Sequence, residues 1–264
     1  MINKPVIGVA ALVFVLAATG VYYLRGRNQP LPAAPNAPTA VAPSSSEPGI
    51  AHPLPGDAGN AAAAAPLPEL ADSDAPLRDA LAQISNADAV KDFLVPQDLI
   101  RKIVVTIDNL PRQKVAVDKR PANPAAGAFL AKGDELHATL DQRNFERYKP
   151  MVAAVNQLDA KQLGALYVHY YPLFQQSYQN LGYPNGYFND RLVEVIDNLL
   201  ATPEPKGPIE LVRPNVMYTY ADPTLEARPA GQKLLIRMGP DNARAIKAKL
   251  TELRAAITTG QLKH

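Results

Sequence analysis

The chain has 264 residues, a formal charge of +2 and no cysteine. Charge this close to neutral gives no basis for binding nucleic acid, and the lack of Cys excludes a disulfide framework, a thiolate zinc site and a cysteine nucleophile. Its 26 prolines are about twice ordinary usage, and clustered proline marks a spacer rather than a second core.

From Pro5 to Leu24 no side chain is charged. About 20 residues at 1.5 Å rise cross the roughly 30 Å hydrocarbon core of a bilayer. Tyr22 and Tyr23 stand where interfacial aromatics belong, and Arg25 and Arg27 close the segment. A cleavable signal peptide is the competing reading. Its best cleavage sequence, Ala18-Thr19-Gly20, lies inside the apolar run and is followed by more of it. Residues 1–27 therefore read as an uncleaved transmembrane anchor, with residues 5–24 in the membrane. Residues 28–68 are a Pro/Ala/Ser-rich stretch with almost no charge and too few large apolar groups to offset the entropy of ordering. Proline biases such a linker to semi-rigid extended forms at about 3.1 Å per residue. Lys4 and the amino terminus nearly balance Arg25 and Arg27, so charge alone does not orient the anchor. A stiff spacer after a membrane helix holds a domain off the bilayer. The expectation is a single-pass protein of the bacterial inner membrane with its C-terminal domain in the periplasm.

Residues 69–259 read as a compact, mainly α domain with short extended segments or a small hairpin, followed by a tail at 260–264. Asp72-Ser73-Asp74 and Pro76 offer a cap and a first-turn proline to a helix carrying Leu77, Leu81 and Ile84. Pro96 opens a helix with Leu99, Ile100, Ile103, Ile107 and Leu110 on one stripe, and Pro111 stops it. Lys114–Val117 reads as extended connection, and Phe129–Leu140 as a small hairpin turning at Lys132–Glu135. Asp141 is a candidate cap for a helix holding Phe145, Tyr148, Val152, Val155 and Leu158, bent at Pro150.

Asp159-Ala160-Lys161-Gln162 has the form of a capping box. It launches a helix with Leu163, Leu166, Tyr167, Tyr170, Phe174, Ser177, Tyr178 and Leu181 on one side and an expected kink at Pro172. After Gly182-Tyr183-Pro184-Asn185-Gly186 a second helix aligns Leu192, Val195, Ile196 and Leu199. An αα-hairpin of these two helices is the expected centre of the domain. Ile209–Pro214 and Val216–Tyr220 alternate weakly and read as extended. Asp222-Pro223 signs a short helix, Gly239-Pro240 ends the next, and the last helix shows a seam of Ala243, Ile246, Leu250, Leu253 and Ile257, with Lys247, Lys249 and Arg254 off it.

The words N-L-P-R at Asn109–Arg112, Y-P-L-F-Q at Tyr171–Gln175, L-G-Y-P-N-G-Y-F-N-D-R-L-V-E-V-I-D at Leu181–Asp197, L-L-A-T-P at Leu199–Pro203 and A-G-Q-K-L-L-I-R-M-G-P-D-N at Ala230–Asn242 carry a resemblance. The chain resembles the bacterial domain-of-unknown-function family 3014 across roughly Leu67 to Ile257. That resemblance implies an anchored envelope protein with a Pro/Ala spacer, and it brings no activity, cofactor or catalytic residue with it.

The residues themselves show no phosphate-cradling loop, nucleophile elbow or zinc helix. Four histidines, two of them in the spacer and tail, are too few for a His-rich metal site. Ser177 and His169 are eight positions apart on one helix, about 12 Å, too far for a nucleophile and its base. Asp190, Glu194 and Asp197 share a helix face opposite the apolar stripe, which predicts a solvated acidic face rather than a paired-carboxylate site. Seven of the 11 tyrosines fall between Tyr148 and Tyr187. At the hairpin end, His169, Tyr171, Tyr183, Asn185, Tyr187, Asn189, Asp190 and Arg191 form the candidate binding surface, for an envelope protein, a peptide or the glycan of peptidoglycan. No catalytic residue, metal or cofactor is assigned. The expected function is a membrane-tethered binding module, with glycan binding as the alternative and a cell-wall hydrolase using Asp190 or Glu194 as a third reading.

Overall fold

The computed structural model describes residues 49–55, 66–84, 93–134, 137–214 and 217–258. Among them are nine α-helices: α1 (Asp74–Ile84), α2 (Leu99–Asn109), α3 (Arg143–Glu146), α4 (Lys149–Asn156), α5 (Ala160–Asn180), α6 (Phe188–Leu200), α7 (Pro223–Glu226), α8 (Ala230–Met238) and α9 (Pro240–Ile257). Four short strands accompany them: β1 (Ala131–Lys132), β2 (Ala138–Leu140), β3 (Glu210–Val212) and β4 (Thr219–Tyr220). The domain is mainly helical with a small antiparallel sheet. No helix of the described residues is long and apolar enough to cross a membrane, and the segment 5–24 lies outside them.

Side-chain caps start several helices where the sequence signals them. Asp159 accepts the N–H groups of Lys161 at 2.8 Å and Gln162 at 3.1 Å, answering two orphan donors of α5. Asp222 does the same for Thr224 at 2.7 Å. Asp74 departs from expectation. Placed inside the first turn of α1, it accepts from Asp98 N at 2.8 Å and Leu99 N at 2.7 Å, so it caps α2 from a neighbouring helix. Asp98, the residue before α2, adopts a left-handed backbone with φ 54° and makes no cap bond of its own. Pro150 does not bend a helix; it occupies the first turn of α4, where a missing N–H is harmless, and α3 ends before it. The kink expected at Pro172 does not interrupt α5, which runs for 21 residues through it. Lys114–Val117 is not wholly extended, because Val117–Lys119 closes a 3-10 turn.

The chain does reverse between α5 and α6, but the returning arm is not the main neighbour of α5. The two arms meet chiefly at the turn end, where Phe188 of α6 packs against Tyr167, Phe174 and Tyr178 of α5, while α2 and α9 each contact both arms and α9 is the principal neighbour of α5. At that crossing Gly164 faces Ala256 so closely that a Cβ on Gly164 would lie 2.9 Å from the Ala256 Cβ. The stripe Leu163 to Tyr178 is buried as its spacing requires, and Leu181 is the exception, left exposed past the end of the helix. The seam of α9 is buried too, together with Lys249, whose Nζ donates to Leu158 O at 2.8 Å and Glu252 Oε2 at 2.6 Å. Lys249 is therefore part of the packed face rather than off it.

The hairpin β1–β2 forms as predicted, with Ala131 opposite Leu140. Strands from further along extend it into a sheet of order β1-β2-β3-β4, with Ala138 opposite Leu211 and Leu211 opposite Tyr220. Ala138, Leu140, Leu211 and Tyr220 meet Ile236 of α8 in a second small core.

The folded body also reaches back into the stretch read as spacer. Residues 49–55 lie against the domain, and Leu54 is buried in the main core.

Candidate functional site

The hairpin end gathers most of the residues that the sequence singles out. Tyr183 stacks on Tyr178, with ring centroids 4.6 Å apart and planes 19° apart. Its hydroxyl accepts from Arg112 Nη2 at 3.0 Å and donates to Asp108 Oδ2 at 3.4 Å. Asp108 is buried and takes Arg112 at 2.6 Å and Arg191 at 3.2 Å. Arg191, with a side chain only 17% exposed, also donates to Glu194 Oε2 at 2.8 Å and to Asp108 O. Burial works against the Arg191 charge, but the carboxylates of Glu194 and Asp108 outweigh it and raise its pKa.

Tyr171 is a core residue rather than a rim residue. Its hydroxyl donates to Gln175 Oε1 at 2.9 Å, and its ring meets Tyr167 edge-on and Tyr187 at 5.4 Å. Burial, then the Tyr187 hydroxyl, pushes its pKa well up. Gln175 also accepts from Phe188 N at 2.8 Å and donates to Gly186 O at 2.7 Å, tying the turn shut. Tyr187 is half-buried and Asn185 exposed. His169 is half-buried with its ring edge-on to Tyr170, and no hydrogen bond among the described residues ties it to the turn. Spacing within one helix could not reveal Asp108, Arg112 and Gln175, although Asp108 and Arg112 stand four apart, the spacing of an ion pair.

Asn189 and Asp190 are brought together on a different task. Asp190 accepts the N–H groups of Ala51 at 3.1 Å and His52 at 2.6 Å. Fully buried Asn189 donates to His52 O at 2.8 Å and Ile257 O at 3.0 Å. The solvated acidic face is thus corrected in part. Asp190 pins the segment 49–55 and is half-buried, whereas Glu194 and Asp197 are exposed and paired with Arg191 and Arg254. Asp190 is therefore occupied by the backbone of this segment and Glu194 by the Arg191 guanidinium.

A groove of about 580 Å³ opens elsewhere, between the sheet, the loop Pro203–Ile209 and the elbow Gly239-Pro240. Leu140, Phe145, Ile209 and Ile236 give it an apolar lining, and Lys132, Asp141 and Glu204 add charge. The Arg143 guanidinium and backbone N–H hold the Asp141 carboxyl down from 3.8 to about 2. Glu204 pairs with Arg244 at 2.8 Å. None of the candidate binding residues named from sequence lines this groove. Its walls come from segments far apart in the chain and carry no local motif.

No group of His, Asp and Glu among the described residues is placed to hold a metal ion. No curated protein and no solved structure matches the chain. The family model described as "Protein of unknown function (DUF3014)" matches residues 99–254, from the start of α2 into the last turn of α9 and well over half of the chain, and the protein belongs to that family.

Proposed function

We propose that this protein is a membrane-tethered binding module of the bacterial envelope. Residues 5–24 anchor it in the inner membrane, the Pro/Ala-rich stretch spaces it from the bilayer, and the groove beside the sheet takes an extended segment of a periplasmic protein. The observation that carries this reading is the groove itself. Its volume of about 580 Å³ lies within the roughly 300–1,000 Å³ usual for ligand sites. Its floor is apolar, its charged groups are few, and β1 beside it is an edge strand of the sheet. An edge strand next to apolar pockets fits a polypeptide that adds backbone hydrogen bonds along the sheet and buries alternate side chains.

A second reading keeps the Tyr-rich end as a glycan site. It is favoured by the half-buried rings of Tyr183 and Tyr187, which lie close to exposed Asn185 and the half-exposed guanidinium of Arg112. One experiment separates the two. The full chain in membranes, carrying a photo-crosslinking residue at Lys132 or Gln142, should give protein adducts that Ile209→Glu removes. Absence of such adducts, together with pelleting on purified peptidoglycan that Tyr183→Ala and Tyr187→Ala abolish, would move the function to the hairpin end.

A further inference from the structure

Within the proline-rich region the segment 49–55 is described in contact with the domain well before the chain joins it at Leu67, and its contacts have the form of a bound peptide. Ala51 and His52 present successive backbone N–H groups to the two oxygens of Asp190. The carbonyl of His52 receives the Asn189 amide at 2.8 Å. Two residues on, Leu54 alone enters the core, while Gly49, Ile50, Ala51 and Pro53 stay exposed. An acceptor for two main-chain donors, a donor for one main-chain acceptor and a socket for one leucine make a recognition register for extended chain. Proline at 53 and 55 lowers the entropy that docking removes.

We propose that Asn189, Asp190 and the Leu54 socket form a displaceable peptide site, filled in cis by the chain's own strap and open in trans to an extended leucine–proline segment of a partner protein. Two observations support exchange over permanent closure. Among the described residues the strap is held by three hydrogen bonds and one buried side chain, which leaves it close to balance against the ordering entropy of seven residues. Asn189 Oδ1 is also buried without a hydrogen-bond partner among the described residues. A competing segment that donates to this oxygen satisfies a group the strap leaves unpaired, and so gains an advantage over it.

The site is separate from the groove, so its test does not depend on groove occupancy. The test uses the full chain in detergent micelles, intact or with residues 49–55 deleted, and a fluorescein-labelled Gly-Ile-Ala-His-Pro-Leu-Pro peptide read by anisotropy. The deletion chain should bind saturably and the intact chain at least tenfold more weakly, because the strap competes. Asp190→Ala in the deletion chain, or aspartate in place of the peptide's leucine, should remove at least tenfold of the binding. Equal affinity of the intact and deletion chains would overturn the proposal. So would no binding to a deletion chain that keeps its helical circular dichroism and cooperative melt. Loss of folding on deletion would overturn it as well, since a segment required for the fold is not a displaceable ligand.

Discussion

A carboxylate taken out of water has to be answered by positive charge and hydrogen bonds, and Asp108 is answered by two arginines and a tyrosine. The two arginines are not equivalent. Arg191 is largely buried, with Nε lacking a hydrogen-bond partner among the described residues, whereas the Arg112 side chain is 53% exposed. Removing Asp108 takes from Arg191 its one buried carboxylate and leaves it only the exposed Glu194, while removing Arg112 only frees a solvated partner. Asp108→Ala is expected to cost about 3 kcal/mol of unfolding free energy, and Arg112→Ala less than about 1 kcal/mol. Urea unfolding of the two variants beside the parent chain measures both. Equal losses would mean that Asp108 is not the keystone of this cluster. The grouping was legible at this scale, because the tyrosines, Asn189, Asp190 and Arg191 stand together in one stretch of sequence. Their tasks were not legible, since each is set by a residue distant in the chain. Asp190 answers Ala51 and His52, and Arg191 answers Asp108.

At the scale of elements, the chain announces where helices begin more clearly than what they pack against. Asp159 and Asp222 cap the helices that their spacing promises. The apolar stripe of α5 shows which face is covered and says nothing of what covers it. The sequential neighbour α6 was the natural expectation, and α9, whose seam is equally plain in the sequence, is the larger neighbour, with α2 beside it. The sheet is half legible for the same reason: the β1–β2 hairpin is local, whereas β2 pairs with β3 some seventy residues later. Leu54 was hidden by the composition around it. Gly164 explains how α9 approaches α5 so closely, since a Cβ there would meet the Ala256 Cβ at 2.9 Å and its carbonyl oxygen at 3.1 Å. Gly164→Leu should lower stability by about 1–3 kcal/mol, because the backbone on the other side cannot yield as a flexible side chain can. The urea midpoint should fall with the slope unchanged. An unchanged midpoint would mean that the two helices have room to part.

For the whole molecule, the strap changes the geometry of the proposed tether. With residues 49–55 docked, the chain between the anchor and the domain is residues 28–48, which at about 3.1 Å per residue reaches about 65 Å when fully extended. Strap release extends that reach, so occupancy of the Asn189–Asp190 cradle by a partner would also free the domain to stand further from the bilayer. All of this requires the domain to be on the periplasmic side, where the near-balanced charges around residues 5–24 leave the decision to the rest of the chain. A C-terminal fusion to a reporter that matures only after export should be active, and a reporter that works only in the cytoplasm should be silent. Deleting residues 5–24 should move the protein from the membrane fraction to the soluble one, because the other long uncharged runs, such as Asn28–Ser46 and Gln162–Asn189, are interrupted by proline and polar side chains and are far less apolar. Activity of the cytoplasmic reporter alone would place the groove and the cradle on the other side of the membrane and exclude periplasmic partners for both.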